Sequence, residues 1–375
     1  MERVQQISRD RDAPVRLLDV DGVADPAGLG DEYQPYVDAL SDDALLQMHR
    51  DMVLTRAFDT EATALQRQGQ LALWIPSIGQ EAAQVGSGRA ARADDFIFPA
   101  YREHAVARIR GVDPVDILAL LRGVTTGGWN PQQHRFNLYT LVIGSQALHA
   151  TGYAMGITLD REAGRSRDEA VLAYFGDGAT SQGDVSEAFV FSRSFDAPVV
   201  FLLQNNHWAI SVPVSVQSPV PLYLRSRGFG IPSVQVDGND VLASYAVTAR
   251  MLDAARAGEG PRFIEALTYR VGAHTSSDDP TKYEDVALRE QWIARDPIPR
   301  YAAYLRGRGV PESFFASLDQ ESKDLAADIR RRTLALHAPA PDAMFTHVYA
   351  DPHPVTASQQ QWLAQYEAGF EEAGA

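Results

Sequence analysis

A carboxylate between two glycines is the first group in this sequence with a recognisable chemical use. It is Asp177, in the stretch YFGDGATSQGD (174–184), where it directly follows an apolar run. A second polar tip, QNNHWAI, also follows an apolar run, and 26 residues separate Gly178 from Asn205. Because this interval accommodates one helix and one strand, we expect Asp177, Asn205 and Asn206 to meet at one rim of a parallel sheet. Their oxygens suit a hard cation such as Mg²⁺, which completes its shell with phosphate oxygens and water.

The two commonest phosphate-binding loops do not fit the glycines around this carboxylate. A dinucleotide fingerprint requires glycine where Ser181 stands, and a Walker loop requires lysine where Asp184 stands. The small residues Gly178 and Ala179 nevertheless open the next helix, whose N-terminal amides can bind phosphate. Each polar tip alone is typical of an ordinary turn. Their joint spacing favours a cation-bound phosphate ligand that is neither a dinucleotide nor a nucleoside triphosphate.

Short apolar runs that alternate with helical patterns must position these residues. The predicted strands are 170–175, 199–203, 233–236 and 262–269. Continuous apolar strands of this kind indicate an α/β fold, with a mainly parallel sheet and helices on both faces. Nearer the N-terminus, Ser41 begins a long helical pattern that Gly69 can close. We predict three parts: an N-terminal arm (1–40), one α/β domain (41–310) and a helical C-terminal extension packed on that domain (311–375).

Composition excludes several classes of function. The 375 residues carry a formal charge of −15, which disfavours a nucleic acid as partner. The chain has no cysteine, so disulfides, thiolate metal sites and cysteine nucleophiles are excluded. Its N-terminus lacks the apolar region of a signal peptide, and no apolar run is long enough for a membrane span. We therefore expect a cytoplasmic protein without a nucleic-acid or membrane partner.

The glycine–aspartate turn and the paired asparagines together resemble the diphosphate-binding motif of thiamine diphosphate enzymes. Between about residues 40 and 310, the sequence also resembles the alpha subunit of the first component of 2-oxo acid dehydrogenases, most of all the branched-chain type and next the pyruvate type. The further stretches that carry this resemblance are FPAYREH (98–104), VIGSQALHATGYAMG (142–156), VDGNDV (236–241) and IEALTYRVGAHTSSDDPTKY (264–283).

The resemblance implies a thiamin-diphosphate-binding fold and assigns roles to individual residues. Mg²⁺ would be bound by Asp177, by the side-chain oxygen of Asn206 and by the backbone carbonyl of Trp208. Arg102 would contact the diphosphate, in keeping with the fit of a guanidinium to phosphate oxygens. The residues that the resemblance assigns to the cofactor are Tyr101, Arg102, Ile143, Gly144, Ser145, Gly176, Asp177, Gly178, Ala179, Asn206 and His274.

His274 is the catalytic residue that the resemblance implies in this chain. It lies in a polar segment after a strand, where we expect it to be exposed enough to titrate near neutrality. By resemblance, it assists transfer of the acyl group to a lipoyl group after a 2-oxo acid has been decarboxylated. Glu81, in SIGQEAAQVG, is expected to have a structural role.

One diphosphate-type sheet is too little for a self-contained thiamine enzyme. The glutamate that activates the cofactor is therefore expected from a separate beta subunit, in a heterotetramer of two alpha and two beta chains. The lipoyl domain of an acyltransferase would be the second partner. Three alternatives remain open: a pyruvate dehydrogenase alpha subunit, a single-chain thiamine decarboxylase or transketolase-like enzyme, and a non-catalytic scaffold that binds Mg²⁺ and phosphate.

Overall fold

A five-stranded parallel sheet forms the centre of the computed structural model, which describes residues 13–125 and 127–373. The strands of the protein are β1 (Phe96–Phe98), β2 (Val171–Gly176), β3 (Val199–Asn205), β4 (Trp208–Ala209), β5 (Val212–Pro213), β6 (Ser233–Asp237) and β7 (Arg262–Leu267). The spatial order in the parallel sheet is β1-β2-β3-β7-β6. β4 and β5 form a separate antiparallel pair. The predicted α/β class is confirmed, while the three-residue strand β1 was not predicted.

Helices cover both faces of this sheet. Successive residues of β2 alternate between two apolar cores: Leu172 and Tyr174 pack on one face, Ala173 and Phe175 on the other. The first eight helices are α1 (Pro26–Leu29), α2 (Gln34–Asp38), α3 (Asp42–Arg67), α4 (Glu81–Ala90), α5 (His104–Ile109), α6 (Pro114–Arg122), α7 (Pro131–His134) and α8 (Ser145–Glu162). The others are α9 (Gly183–Ser194), α10 (Val214–Gln217), α11 (Leu222–Arg227), α12 (Val241–Arg256), α13 (Val286–Ile293), α14 (Pro297–Gly307), α15 (Glu312–Leu334) and α16 (Pro354–Ala373). The first core includes α3, α4 and α12, and the second includes α8 and α9.

Local sequence sets the ends and the spacing of the helices on the first face. The Ser41 hydroxyl accepts a hydrogen bond from the backbone N–H of Ala44 at 3.2 Å and caps α3, as predicted. Helices α4 and α12 approach closely at Gly86. A Cβ atom there would lie 2.6 Å from the carbonyl oxygen of Val241, so only glycine fits this crossing.

The N-terminal segment extends the sheet beyond β6. Val15 donates its backbone N–H to the carbonyl of Gln235 and accepts from the N–H of Asp237, both at 2.9 Å. The Asp240 carboxylate accepts from the backbone N–H groups of Leu17 and Leu18 at 2.6 Å. The described part of the predicted arm is thus packed against the domain, and residues 1–12 of that arm lie outside the described residues.

The C-terminal extension divides into two differently packed parts. Helix α15 packs on α3 and α6. In α16, by contrast, the aromatic side chains of Trp362, Tyr366 and Phe370 are 62%, 52% and 60% exposed. Within the described residues, no helix is both long and apolar enough to cross a membrane.

Candidate active site

The ends of β2 and β3 form the floor of a cleft. Gly176 and Gln204 are paired neighbours in register, so Asp177 and Asn206 leave the sheet side by side, as the spacing predicts. The chain then turns through a 3₁₀ helix (Asp177–Ser181) before α9 begins. The cleft has a volume of about 170 Å³, and it lies at the carboxyl ends of the strands, where open α/β sheets bind ligands.

Asp177 is a buried carboxylate in which only one oxygen accepts a side-chain hydrogen bond from the described residues. Its Oδ2 accepts a hydrogen bond from Nε2 of Gln217 at 2.8 Å. Its Oδ1 is buried and has no hydrogen-bond partner among the described residues. Burial raises the pKa of this carboxyl to about 6, against the opposing hydrogen bond from Gln217. An oxygen in this state is suited to ligating a cation.

The two asparagines at the tip of β3 have different surroundings. Asn205 donates to Oε1 of Glu265 at 2.6 Å and does not line the cleft. Asn206 lines it, and its Oδ1 accepts the backbone N–H of Trp208 at 3.2 Å. A carbonyl oxygen has two lone pairs, so Asn206 could still bind a cation beside Asp177.

Glycine is required at position 178 by the strand that folds over the turn. A Cβ atom on Gly178 would lie 2.8 Å from the Cβ of Ala209 in β4. The backbone of the turn is therefore in close contact with β4, and both Gly178 and Ala209 line the cleft.

Arg102 supplies positive charge to the same cleft. Its guanidinium donates to the carbonyls of Pro76 and His274, the latter at 3.0 Å. Among the described residues, it forms no ion pair with a carboxylate, and burial lowers its pKa. A buried guanidinium whose hydrogen-bond partners are all uncharged can still bind an anion.

His274 lies beside Arg102. The prediction that it titrates near neutrality is wrong. Burial, followed by the charges of Arg102 and Arg270, lowers its pKa to about 4. Nη2 of Arg102 lies 3.3 Å from Nδ1 of His274. Because a guanidinium can only donate, Nδ1 is the acceptor and the proton of the neutral ring is on Nε2. His274 therefore offers an N–H donor at neutral pH rather than a titrating base.

Most of the predicted site residues line this cleft, but Gly144 and Ser145 do not. Ser145 begins α8 and donates its hydroxyl to the carbonyl of Val142 at 2.9 Å, while the neighbouring Ile143 does line the cleft. The predicted residues that line it are Tyr101, Arg102, Ile143, Gly176, Asp177, Gly178, Ala179, Asn206, Trp208 and His274.

Several polar residues of the cleft were missed from the sequence. They are Gln80, Glu103, Thr140, Gln146, Gln182 and Gln204. The only sequence signal for Gln204 is its position directly before the two asparagines. Glu81, by contrast, has the structural role expected of it: it pairs with Arg56, and its Oε2 accepts the backbone N–H of Gly79 at 2.9 Å.

Within the described part of the chain, the cleft thus combines a carboxylate oxygen without a hydrogen-bond partner and an arginine without an acidic partner. This charge arrangement fits a ligand that carries both a divalent cation and phosphate oxygens, and glycine backbone forms its floor. The fold and this cleft are typical of α/β proteins that bind a phosphorylated cofactor.

Comparisons with known proteins agree with this class. The family model described as "Dehydrogenase E1 component" matches residues 49–331. The chain is 41% identical over 352 residues to "3-methyl-2-oxobutanoate dehydrogenase subunit alpha" of Mycobacterium tuberculosis (strain ATCC 25618 / H37Rv), covering 93% of each chain. It is 39% identical over 273 residues to "Pyruvate dehydrogenase E1 component subunit alpha" of Bacillus cereus, covering 72% of each. Its counterpart from Acholeplasma laidlawii is 35% identical over 334 residues, which cover 88% of this chain and 95% of that protein.

The chain therefore belongs to the dehydrogenase E1 component family, within its alpha-subunit type, and the predicted family resemblance is confirmed. Membership of this family implies use of thiamine diphosphate. The cleft fits the diphosphate end of that cofactor, because Asp177 has a buried oxygen without a hydrogen-bond partner and Arg102 has no carboxylate partner among the described residues.

Proposed function

We propose that this chain is the alpha subunit of a branched-chain 2-oxo acid dehydrogenase. With a beta subunit, it would carry out oxidative decarboxylation of a 2-oxo acid and transfer the acyl group to the lipoyl group of a dihydrolipoyl acyltransferase. The proposal includes a cytoplasmic location. The observation that supports it best is the unpaired Oδ1 of Asp177 in a cleft that also contains Arg102.

The protein residues would bind and orient the cofactor in this cleft. Mg²⁺ would be held by Asp177, Asn206 and the backbone carbonyl of Trp208. Arg102 and Tyr101 would bind the diphosphate, so that the negative diphosphate lies between the cation and the Arg102 guanidinium. Bound thiamine diphosphate supplies the nucleophilic carbon and the electron sink for decarboxylation.

His274 would act as a hydrogen-bond donor towards the substrate. Its ring is neutral with the proton on Nε2, because Arg102 occupies Nδ1 and burial lowers the pKa to about 4. A fixed N–H donor in a half-buried site can stabilise negative charge that develops on a substrate oxygen. The same donor would lie within the path of the acyl group towards the lipoyl domain.

The surface around the cleft supports a partner subunit. Ile143 and Ile210 line the cleft and are 39% and 52% exposed, and Leu141, Val142 and Val216 are 62%, 72% and 73% exposed. Exposed apolar side chains of this density are typical of protein interfaces. We propose that a beta subunit covers them, contributes the glutamate that activates the cofactor, and assembles as two alpha and two beta chains.

Substrate preference is tested by co-expressing the chain with its beta subunit. We expect kcat/KM for 3-methyl-2-oxobutanoate to exceed that for pyruvate by at least about 10-fold, because one extra methylene in an apolar pocket gives about 10- to 200-fold and this substrate has two more carbons. The opposite order would identify a pyruvate dehydrogenase alpha subunit, to which the chain is also similar.

Two further experiments separate the remaining alternatives. Decarboxylation by the purified chain alone, with cofactor and Mg²⁺, would show a single-chain enzyme and overturn the role of the beta subunit. Replacing His274 with alanine in the complex should abolish acyl transfer, whereas the cofactor should still be held by Asp177 and Arg102. Unchanged acyl transfer would support the non-catalytic scaffold.

A further inference from the structure

Glu103 and Gln204 form a buried pair in the wall of the cleft. Their residues are 1% and 2% exposed, and both line the cleft. Nε2 of Gln204 donates to Oε1 of Glu103 at 2.6 Å, and Oε2 of Glu103 accepts the backbone N–H of Arg102 at 3.3 Å. Neither side chain has a role in the proposed reaction so far.

The amide of Gln204 is half satisfied in this arrangement. Its nitrogen is used by Glu103, whereas its Oε1 is buried without a hydrogen-bond partner in the described part of the chain. The end of the amide that remains for a ligand is therefore an acceptor. The diphosphate of the cofactor also offers only acceptors, so the two oxygens would repel each other.

Turning the amide over would remove this conflict, but only if Glu103 is protonated. Nε2 of Gln204 would then be free to donate to a phosphate oxygen. Its Oε1 would face Glu103, and two acceptors can meet there only when the carboxyl carries a proton to donate. The orientation of the amide and the protonation of Glu103 are thus linked by hydrogen-bond geometry.

The surroundings of Glu103 allow this proton to be taken up near neutral pH. Burial raises its pKa to about 7, against the opposing effects of the Arg102 backbone N–H, the Arg102 charge and the hydrogen bond from Gln204. The other titratable groups that face it are the hydroxyls of Tyr139 and Tyr174, whose pKa values are raised by burial. Both hydroxyls stay neutral, so Arg102 is the one charge among the groups named here that opposes protonation.

We propose that Glu103 takes up a proton from solvent when thiamine diphosphate binds, and that Gln204 then turns its amide to donate to the diphosphate. Glu103 is in this view a positioning residue that acts through Gln204. The inference rests on the proposed function, because it takes the cleft to be the site of that cofactor. It predicts that cofactor affinity falls as pH rises above neutrality.

Proton uptake is measured by isothermal titration calorimetry on the complex with the beta subunit. Thiamine diphosphate is titrated with Mg²⁺ in two buffers of different ionisation enthalpy, at pH 6 and pH 8. The contribution of Glu103 to the proton uptake should rise from roughly 0.1 proton at pH 6 to roughly 0.9 at pH 8. The Kd for the cofactor should increase about tenfold per pH unit above neutrality.

Glu103→Gln is the decisive variant, because its amide mimics the protonated acid and can donate to Gln204 at any pH. It should bind the cofactor about tenfold more tightly than wild type at pH 8 and lose the Glu103 share of the proton uptake. Gln146→Met is the matched control: Gln146 also lines the cleft, but its Nε2 donates to the carbonyl of Tyr174 at 2.9 Å. This control should keep the wild-type proton uptake.

Infrared difference spectra of the wild-type complex give a second readout that requires no variant. Adding cofactor at pH 8 should produce the carbonyl stretch of a protonated carboxylic acid. Equal proton uptake in wild type and Glu103→Gln, or no such infrared band, would overturn the inference while leaving the cofactor site intact. Failure of the wild-type complex to bind thiamine diphosphate at any pH would instead refute the proposed function.

Discussion

Arg102 and Arg56 are two arginines of the same domain with opposite expected roles. Arg102 is held by the carbonyls of Pro76 and His274 and by Nδ1 of His274, and it forms no ion pair among the residues that the structure covers. Replacing it with methionine removes three hydrogen bonds, at about 1 kcal/mol each, and also removes a buried charge. The two effects oppose each other, so we expect the free energy of unfolding to change by no more than about 2 kcal/mol.

Cofactor binding should respond much more strongly to Arg102→Met. Hydrogen bonds from a guanidinium to phosphate oxygens contribute about 1.5–3 kcal/mol each, and a forked contact has two. The loss is then about 3 kcal/mol or more, equivalent to a decrease in affinity of at least about 100-fold. Arg102→Lys keeps the charge but not the fork, so its affinity should fall between those of wild type and Arg102→Met.

Arg56→Met is the matched control with the reverse outcome. Arg56 pairs with Glu81, whose side chain is fully buried, and with Asp296 at 3.0 Å. Removing it leaves the Glu81 carboxylate uncompensated, which costs about 3–5 kcal/mol for a buried pair. Arg56 does not line the cleft, so the folded variant should bind the cofactor as wild type does.

Urea denaturation of the full chain without cofactor measures the change in the free energy of unfolding. Calorimetry on the complex with the beta subunit measures the change in cofactor affinity. The distinction between the two arginines would be refuted if Arg102→Met lost as much stability as Arg56→Met and still bound Mg²⁺–thiamine diphosphate with wild-type affinity.

Three further predictions follow from single positions. Gly86→Ala should lower the free energy of unfolding by about 1–3 kcal/mol, because its Cβ would meet the backbone of α12. Gly152→Ala in α8 has open space around the new Cβ, so its free energy of unfolding should rise by about 0.5–1 kcal/mol. Urea denaturation measures both changes, and equal effects would contradict the close crossing of α4 and α12. Asp177→Asn should bind thiamine diphosphate with nearly the same affinity with and without Mg²⁺ in calorimetry, and a wild-type response to Mg²⁺ would exclude Asp177 as a ligand. Burial lowers the pKa of His104 to about 3, so below pH 6.5 the unfolded chain takes up a proton that the folded chain does not. The stability contributed by neutral His104 is therefore complete above pH 6.5 and is lost by about 1.4 kcal/mol per pH unit towards pH 3, and His104→Gln should reduce this slope in urea denaturation between pH 7 and pH 5.

The parallel sheet and the rim of the cleft could be predicted because local patterns determine them. Strands β2 and β3 consist mainly of apolar runs, β6 and β7 carry shorter apolar segments, and parallel strands bring their carboxyl ends to one rim. The positions of Asp177 and Asn206 follow from that geometry alone. The strand β1 was missed because three residues, FIF, carry no period.

The contacts that tune the site could not be predicted, because they join distant segments of the chain. Glu103 and Gln204 are 101 positions apart, and Gln217 reaches Asp177 across 40 positions. Burial of a loop residue also has no sequence pattern, which is why His274 was expected to titrate near neutrality. Its pKa is lowered first by burial and then by the charge of Arg102, 172 positions away.

The strip of N-terminal chain along β6 has a consequence for how the protein is made. Leu18 and Asp240, which hold that strip in place, are 222 positions apart. At about 5–20 residues per second, a ribosome needs roughly 10–45 s to add the second partner after the first. Throughout that time the strip has no edge to bind, and β6 then emerges with an open edge of the kind that pairs with other chains. Closure of the sheet edge by the strip around Val15 is therefore a late folding step, and a chain that lacks the residues up to Leu18 should aggregate during synthesis even though its cleft is unchanged.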